Sequence, residues 1–140
     1  SQNIHLLFNL WYRDFNYTPA YANNLPQIDH VFPQSALKKV KVPNPNTGKM
    51  NIMKYRESDR NQLANCMLLT AAENGAGGKS DTLPDEWFKD KDTDYLNRHL
   101  IPNNPALWKI ERFEDFIIER KKLIKAHFEY LMSPPVTAEK

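Results

Sequence analysis

An aspartate and a histidine stand side by side at Asp29-His30, and Asn65, Asn74 and Lys79 follow at intervals. These side-chain types match the needs of phosphodiester hydrolysis. A water must lose a proton, the phosphate charge must be neutralised, and the leaving oxygen must be stabilised opposite the attack. Histidine is the usual base near neutral pH. A carboxylate with a neutral amide oxygen is a hard-oxygen set for Mg²⁺ that leaves positions for water and phosphate. Neighbours on a strand point in divergent directions. An Asp-His pair on a strand therefore sets a metal and a base on different sides of one phosphorus.

The elements that must position this set can be read from the flanking sequence. Gln27-Ile28-Asp29-His30-Val31-Phe32 reads as a strand stopped by Pro33. Asn65-Cys66-Met67-Leu68-Leu69 reads as a second, buried strand. Thr70 and Glu73 have the spacing of a capping box, which predicts a helix from Thr70; Gly75, Gly77 and Gly78 keep it short. Residues 34–64 are the least regular: a basic stretch from Ser35 to Lys41, a loop at Pro43–Gly48, and a returning strand from Met50 to Tyr55. Ile4 to Tyr12 reads as a short buried helix, although its periodicity leaves a strand open. Leu83, Trp87 and Phe88 are expected anchors in an acidic segment. Phe113, Phe116, Ile117, Ile124, Phe128 and Leu131 recur at helical spacing, predicting an amphipathic helix over about 111–132. Ser133-Pro134-Pro135 ends that helix, and residues 133–140 are expected to be a disordered tail.

Ile28-Asp29-His30-Val31-Phe32-Pro33-Gln34-Ser35, then Asn65-Cys66-Met67-Leu68-Leu69, then Asn74 and Gly78-Lys79-Ser80-Asp81 together resemble an HNH nuclease of the ββα-metal (His-Me finger) class. The phrase order is similar to the HNH domain of the RNA-guided CRISPR effector. The flanks, Leu96-Asn97-Arg98-His99-Leu100-Ile101-Pro102, Trp108 and Phe113-Glu114-Asp115-Phe116 with Arg120 and Leu123, resemble the C-terminal nuclease domain of GmrSD-type modification-dependent restriction proteins. The resemblance implies that Asp29 and Asn74 bind one Mg²⁺ or Mn²⁺ and that His30 activates the water. It further implies that Asn65 holds the His30 ring through its side chain or backbone, and that Lys79 contacts phosphate near the metal. The fold expected is α+β: a ββα-metal finger of hairpin plus short helix over about 27–80, embedded in a mostly helical scaffold within one domain spanning 1–132. By family analogy the chain is the effector part of a bacterial anti-phage system, with a sensor or NTP-using domain upstream.

Each residue also has a plainer reading. A histidine at a strand end is commonly just a satisfied surface group, Asp29 can cap a turn before Pro33, Asn65 can be a loop residue, and Asn74 can be an ordinary helix end. Four such residues in order on strand, strand and helix favour the catalytic set. Gly78-Lys79-Ser80 matches the end of a phosphate-binding P-loop, but Glu73 stands where its first glycine belongs, so that motif is rejected. His5, His99 and His127 are assigned no chemistry. Arg120, Lys121, Lys122 and Lys125 are expected on a solvated helix face.

Composition narrows the field. With 140 residues, 41% hydrophobic and 26% charged, the chain fits one domain with a real core rather than a disordered segment. It begins Ser-Gln-Asn and reads as an excised domain. The one cysteine, Cys66, excludes an intramolecular disulfide and a Cys-rich zinc site, which makes a reducing, cytoplasmic setting the default. No apolar run reaches membrane-spanning length. The net charge of +2 hides two opposed segments. Lys38 to Arg60 carries seven Lys/Arg against two acids, and Asp81 to Asp94 six acids against two lysines. Lys38, Lys39, Lys41 and Arg60 are candidates for DNA backbone contact, which positions DNA without reading sequence. One such site cuts one strand, so double-strand cleavage calls for a second copy or a second event. The competing readings are an inactive DNA-binding domain and a protein-interaction domain docking through the C-terminal helix.

Overall fold

The structure, a computed structural model, describes Trp11, residues 27–69, Lys79 and residues 81–132. In chain order the elements are β1 (Gln27–His30), α1 (Gln34–Lys38), β2 (Lys41–Pro43), β3 (Met50–Met53), α2 (Glu57–Arg60), a 3₁₀ turn at Leu63–Asn65, β4 (Cys66–Leu69), α3 (Pro84–Trp87), α4 (Thr93–Arg98), 3₁₀ turns at Pro105–Trp108 and Ile110–Arg112, and α5 (Phe113–Met132). The architecture is mixed α+β. The expected Ile4–Tyr12 helix (Trp11 apart), the helix from Thr70 and the tail lie outside the described residues.

β1 and β4 pair antiparallel, with Asp29 opposite Met67 and His30 opposite Cys66. These are the two strands read from the sequence. The two strands enclose residues 31–65, and a second antiparallel pair, β2 with β3, forms inside that excursion. The sequence predicts a strand through Phe32, and β1 ends two residues earlier, at His30; Pro33 has no N–H to continue a ladder, and its carbonyl accepts from Ala36 and Leu37 as α1 begins. Val31 and Phe32 between them are fully buried.

The β2–β3 connection follows from its residues. The Asn44 side chain accepts from Asn46 N–H and its carbonyl from Gly48 N–H, and Gly48 takes φ +75°, a conformation that costs glycine little. The ribbon stands away from the core, leaving Met50, Ile52 and Met53 exposed. At its base, Lys54 pairs with Glu114 of α5 at 3.0 Å, and the Tyr55 hydroxyl donates to the same carboxylate.

α5 closes the core from one side. Phe113, Phe116, Ile117 and Ile124 are buried, and the rings of Phe113 and Phe116 each meet Phe32 edge-on at 5.1 Å. Phe32 thus joins the turn behind β1 to the helix, with aromatic edge-to-face pairs adding to the area buried. Leu96, Ile101, Leu107, Trp108 and Phe88 extend the core. Of the expected anchors Phe88 is buried, whereas Leu83 and Trp87 are half-buried.

Arg120 corrects one expectation. Lys121, Lys122 and Lys125 are exposed, but Arg120 has no exposed surface. Its guanidinium donates to the carbonyls of Ala64, Cys66, His99 and Leu100. The reason is positional: Arg120 lies four residues after Phe116 and seven after Phe113, on the buried stripe of α5. Leu100, in the left-handed region at φ 55°, turns the chain at the end of α4 so that two of those carbonyls face it.

Candidate functional site

The last two residues of β1, Asp29 and His30, are half-buried, and their side chains meet different partners. Asp29 faces Lys79, whose Nζ lies 3.5 Å from Oδ2. That separation is a charge contact, and the buried Oδ2 accepts no hydrogen bond among the described residues. His30 instead turns its Nε2 to Oδ1 of Asn61, 2.7 Å away. Sequence reasoning passed over Asn61. It sits at the C-terminal cap of α2, where an asparagine reads as an ordinary helix end.

The resemblance implies that Asn65 holds the His30 ring through side chain or backbone; the hydrogen bonds it makes among the described residues go to backbone groups. Its side chain is fully buried and works on backbone. Oδ1 accepts from Phe32 N–H at 2.8 Å, and Nδ2 donates to the carbonyls of Phe32 and Arg60. Its own carbonyl accepts from Val31 N–H. One amide therefore ties the chain just after His30 to the chain just before Asn61.

The resemblance implies a phosphate contact for Lys79, and the structure turns this side chain inward. It has no exposed surface, and Nζ donates to the carbonyls of His30 at 2.7 Å, Val31 at 3.0 Å and Thr82 at 3.4 Å. Burial lowers its pKa from the ordinary lysine value, and the Asp29 carboxylate acts against that shift. As placed, Lys79 braces the end of β1 from beneath. A buried ammonium needs its donors filled, and strand-end carbonyls do that.

The four residues expected at DNA divide in two. Lys38 and Lys39 at the end of α1 are exposed and Lys41 on β2 is half-buried. Arg60 is turned inward, 8% exposed, donating to Tyr55 O at 2.8 Å and to Gln34 Oε1 at 3.3 Å. Its place on the last turn of a short helix against α1 makes it a scaffold group. In the acidic segment, Glu86, Asp90 and Asp85 pair with Lys89, Lys91 and Lys109.

Asn74 lies outside the described residues. Among the described residues no group of three or more His, Cys, Asp or Glu gathers to hold a metal. Asp29 still meets the first requirement of a hydrated divalent cation, a hard oxygen that accepts no hydrogen bond among the described residues. No helix among the described residues is long and apolar enough to cross a membrane.

No curated protein and no solved structure matches the chain significantly. The family described as GmrSD restriction endonucleases, C-terminal domain, matches residues 1–126, nearly the whole of it. With a match of that extent over the segment that holds Asp29, His30 and the elements bracing them, the chain belongs to the family of GmrSD restriction endonuclease C-terminal domains.

Proposed function

We propose that this domain is an HNH-type endonuclease that hydrolyses DNA phosphodiester bonds with one Mg²⁺ or Mn²⁺. The observation that carries the reading is the end of β1: Asp29 offers a buried carboxylate oxygen with no hydrogen bond among the described residues, and the adjacent His30 presents a ring held by a separate segment. Family membership supplies the nuclease class. The ββα-metal finger would be β1, β4 and the helix expected from Thr70, within one domain over about 1–132.

In this reading His30 takes a proton from the attacking water. The new O–P bond forms in line with the bond to the 3′ oxygen, which breaks to leave a 5′-phosphate. Asp29 and Asn74 would hold the cation, which when bound neutralises phosphate charge and stabilises the leaving oxygen. Lys79 keeps Asp29 and the His30 backbone in place rather than meeting phosphate. Lys38, Lys39 and Lys41 would contact the DNA backbone. The setting we propose is the bacterial cytoplasm, as the effector part of an anti-phage restriction protein with an upstream sensor or NTP-using domain. A single site nicks; double-strand cleavage would take a second copy.

The test is nicking of supercoiled plasmid with Mg²⁺ or Mn²⁺, with chelator controls, for wild type and His30→Ala. Wild type should nick only with metal, and His30→Ala should lose about 10²–10⁴-fold in rate, the usual contribution of a positioned base, while DNA binding persists. Undiminished nicking by His30→Ala overturns the mechanism. Absence of DNA binding at low salt would favour a protein-interaction domain instead.

A further inference from the structure

Asn61 and His30 are thirty-one residues apart in sequence, and their side chains meet at 2.7 Å. The amide oxygen of asparagine can only accept. A contact this short to Oδ1 therefore requires the ring proton on Nε2, and in a neutral imidazole that leaves the lone pair on Nδ1. We propose that Asn61 is a positioning residue that fixes the tautomer and plane of the His30 ring, so that Nδ1 is the atom that accepts the proton of the attacking water. The inference rests on the reading of His30 as the water-activating base.

The contact is built from both ends. On the Asn61 side, the backbone N–H donates to Glu57 O at 2.9 Å, closing α2. On the His30 side, Lys79 Nζ holds the His30 carbonyl at 2.7 Å and Asn65 O takes the next N–H, that of Val31. The buried Asn65 amide spans the two, bonded to Phe32 on one side and to Arg60 O, directly before Asn61, on the other. The distance between the His30 and Asn61 backbones is thus set by groups that have no exposed surface. Such support keeps a ring in one orientation; an exposed asparagine on a free loop would lose side-chain entropy on pairing and hold it poorly.

The decisive measurement is the ring tautomer in the metal-free chain. Two-bond ¹H–¹⁵N correlation spectra, recorded at a pH where the imidazole is neutral, report which ring nitrogen carries the proton. Wild type should show His30 protonated on Nε2. Asn61→Ala, a change at an exposed position, should give a mixture of tautomers. With a defined DNA duplex and Mn²⁺, its kcat should fall about 10- to 100-fold, part of what a positioned base supplies, with KM changed less than about 2-fold. Asn61→Asp keeps an accepting oxygen at the same place and should restore the Nε2–H form and most of kcat. A wild-type ring protonated on Nδ1 overturns the proposal. So does an Asn61→Ala chain with the wild-type tautomer and rate. If His30→Ala itself still nicks, the catalytic reading fails and takes this inference with it; if His30→Ala is inactive and Asn61→Ala is not impaired, only the inference fails.

Discussion

Asn65 bonds its side-chain amide to the backbone of two other segments, at Phe32 and Arg60. Replacing it by alanine would leave one N–H and two carbonyls without partners in a place water does not reach. Each such group costs roughly 1–3 kcal/mol, so Asn65→Ala should destabilise the domain by about 3–5 kcal/mol, read as a lower midpoint in urea. Asn65→Asp should be no better, since a carboxylate keeps the acceptor for Phe32 N–H but turns an oxygen toward two carbonyls. A loss below about 1 kcal/mol for either variant would mean that the clamp is not what sets the site. At this scale Lys79 and Arg120 follow the same rule. A long cationic side chain with no exposed surface is surrounded by carbonyls, and it fixes backbone from three or more directions.

Among the elements, the β2–β3 ribbon with the end of α1 carries exposed cationic charge at Lys38, Lys39 and Lys49, with Lys41 half-buried. Lys54 is already paired with Glu114, and Arg60 is internal. If Lys38, Lys39 and Lys41 meet phosphate, replacing the three together by glutamine should weaken binding about equally for duplexes of different sequence. It should also lower the slope of log K against log salt by roughly 2–3, close to one unit for each phosphate no longer neutralised. A filter-binding or fluorescence titration across about 50–200 mM salt, a range set by the same counterion effect, measures both. An unchanged slope would remove this face from the DNA interface. Arg60→Gln gives the contrast: a stability loss with little change of slope, as expected of a buried group.

For the molecule as a whole, the junction of α4, α5 and β4 is a fully buried ionisable region. His99 has no exposed surface, and burial, reinforced by Arg120 and Arg98, holds its pKa down at about 3. The ring is therefore neutral in the native state across a range in which the unfolded chain takes up a proton. A depressed folded pKa contributes stability that is present above the unfolded value near 6.5 and is lost as pH falls toward 3. The loss has an upper bound of about 5 kcal/mol, from 1.36 kcal/mol per pKa unit. Denaturation midpoints should fall as pH is lowered from 6.5 toward about 3, the window between the two pKa values, and His99→Gln should flatten the dependence. If the variant keeps the full slope, the acid sensitivity lies elsewhere.

By itself the sequence determined the α+β class, a strand carrying Asp29-His30 ahead of Pro33, a buried strand over most of Asn65–Leu69, the turn ending at Gly48 and the long helix ending near Met132. Those are local decisions: hydrophobic periodicity, a missing N–H, a residue free at positive φ. What faces what was settled only by tertiary structure. β1 takes β4 as its partner across residues 31–65, with a second strand pair inside that excursion. Arg60, Lys79 and Arg120 look like surface charge in the sequence, yet each is buried against backbone carbonyls or, for Arg60, also a glutamine side chain. Asn61 meets His30 although nothing in its neighbourhood marks it. Carbonyls become hydrogen-bond partners only where the fold exposes them at strand ends and helix caps, and no residue type announces where that will be.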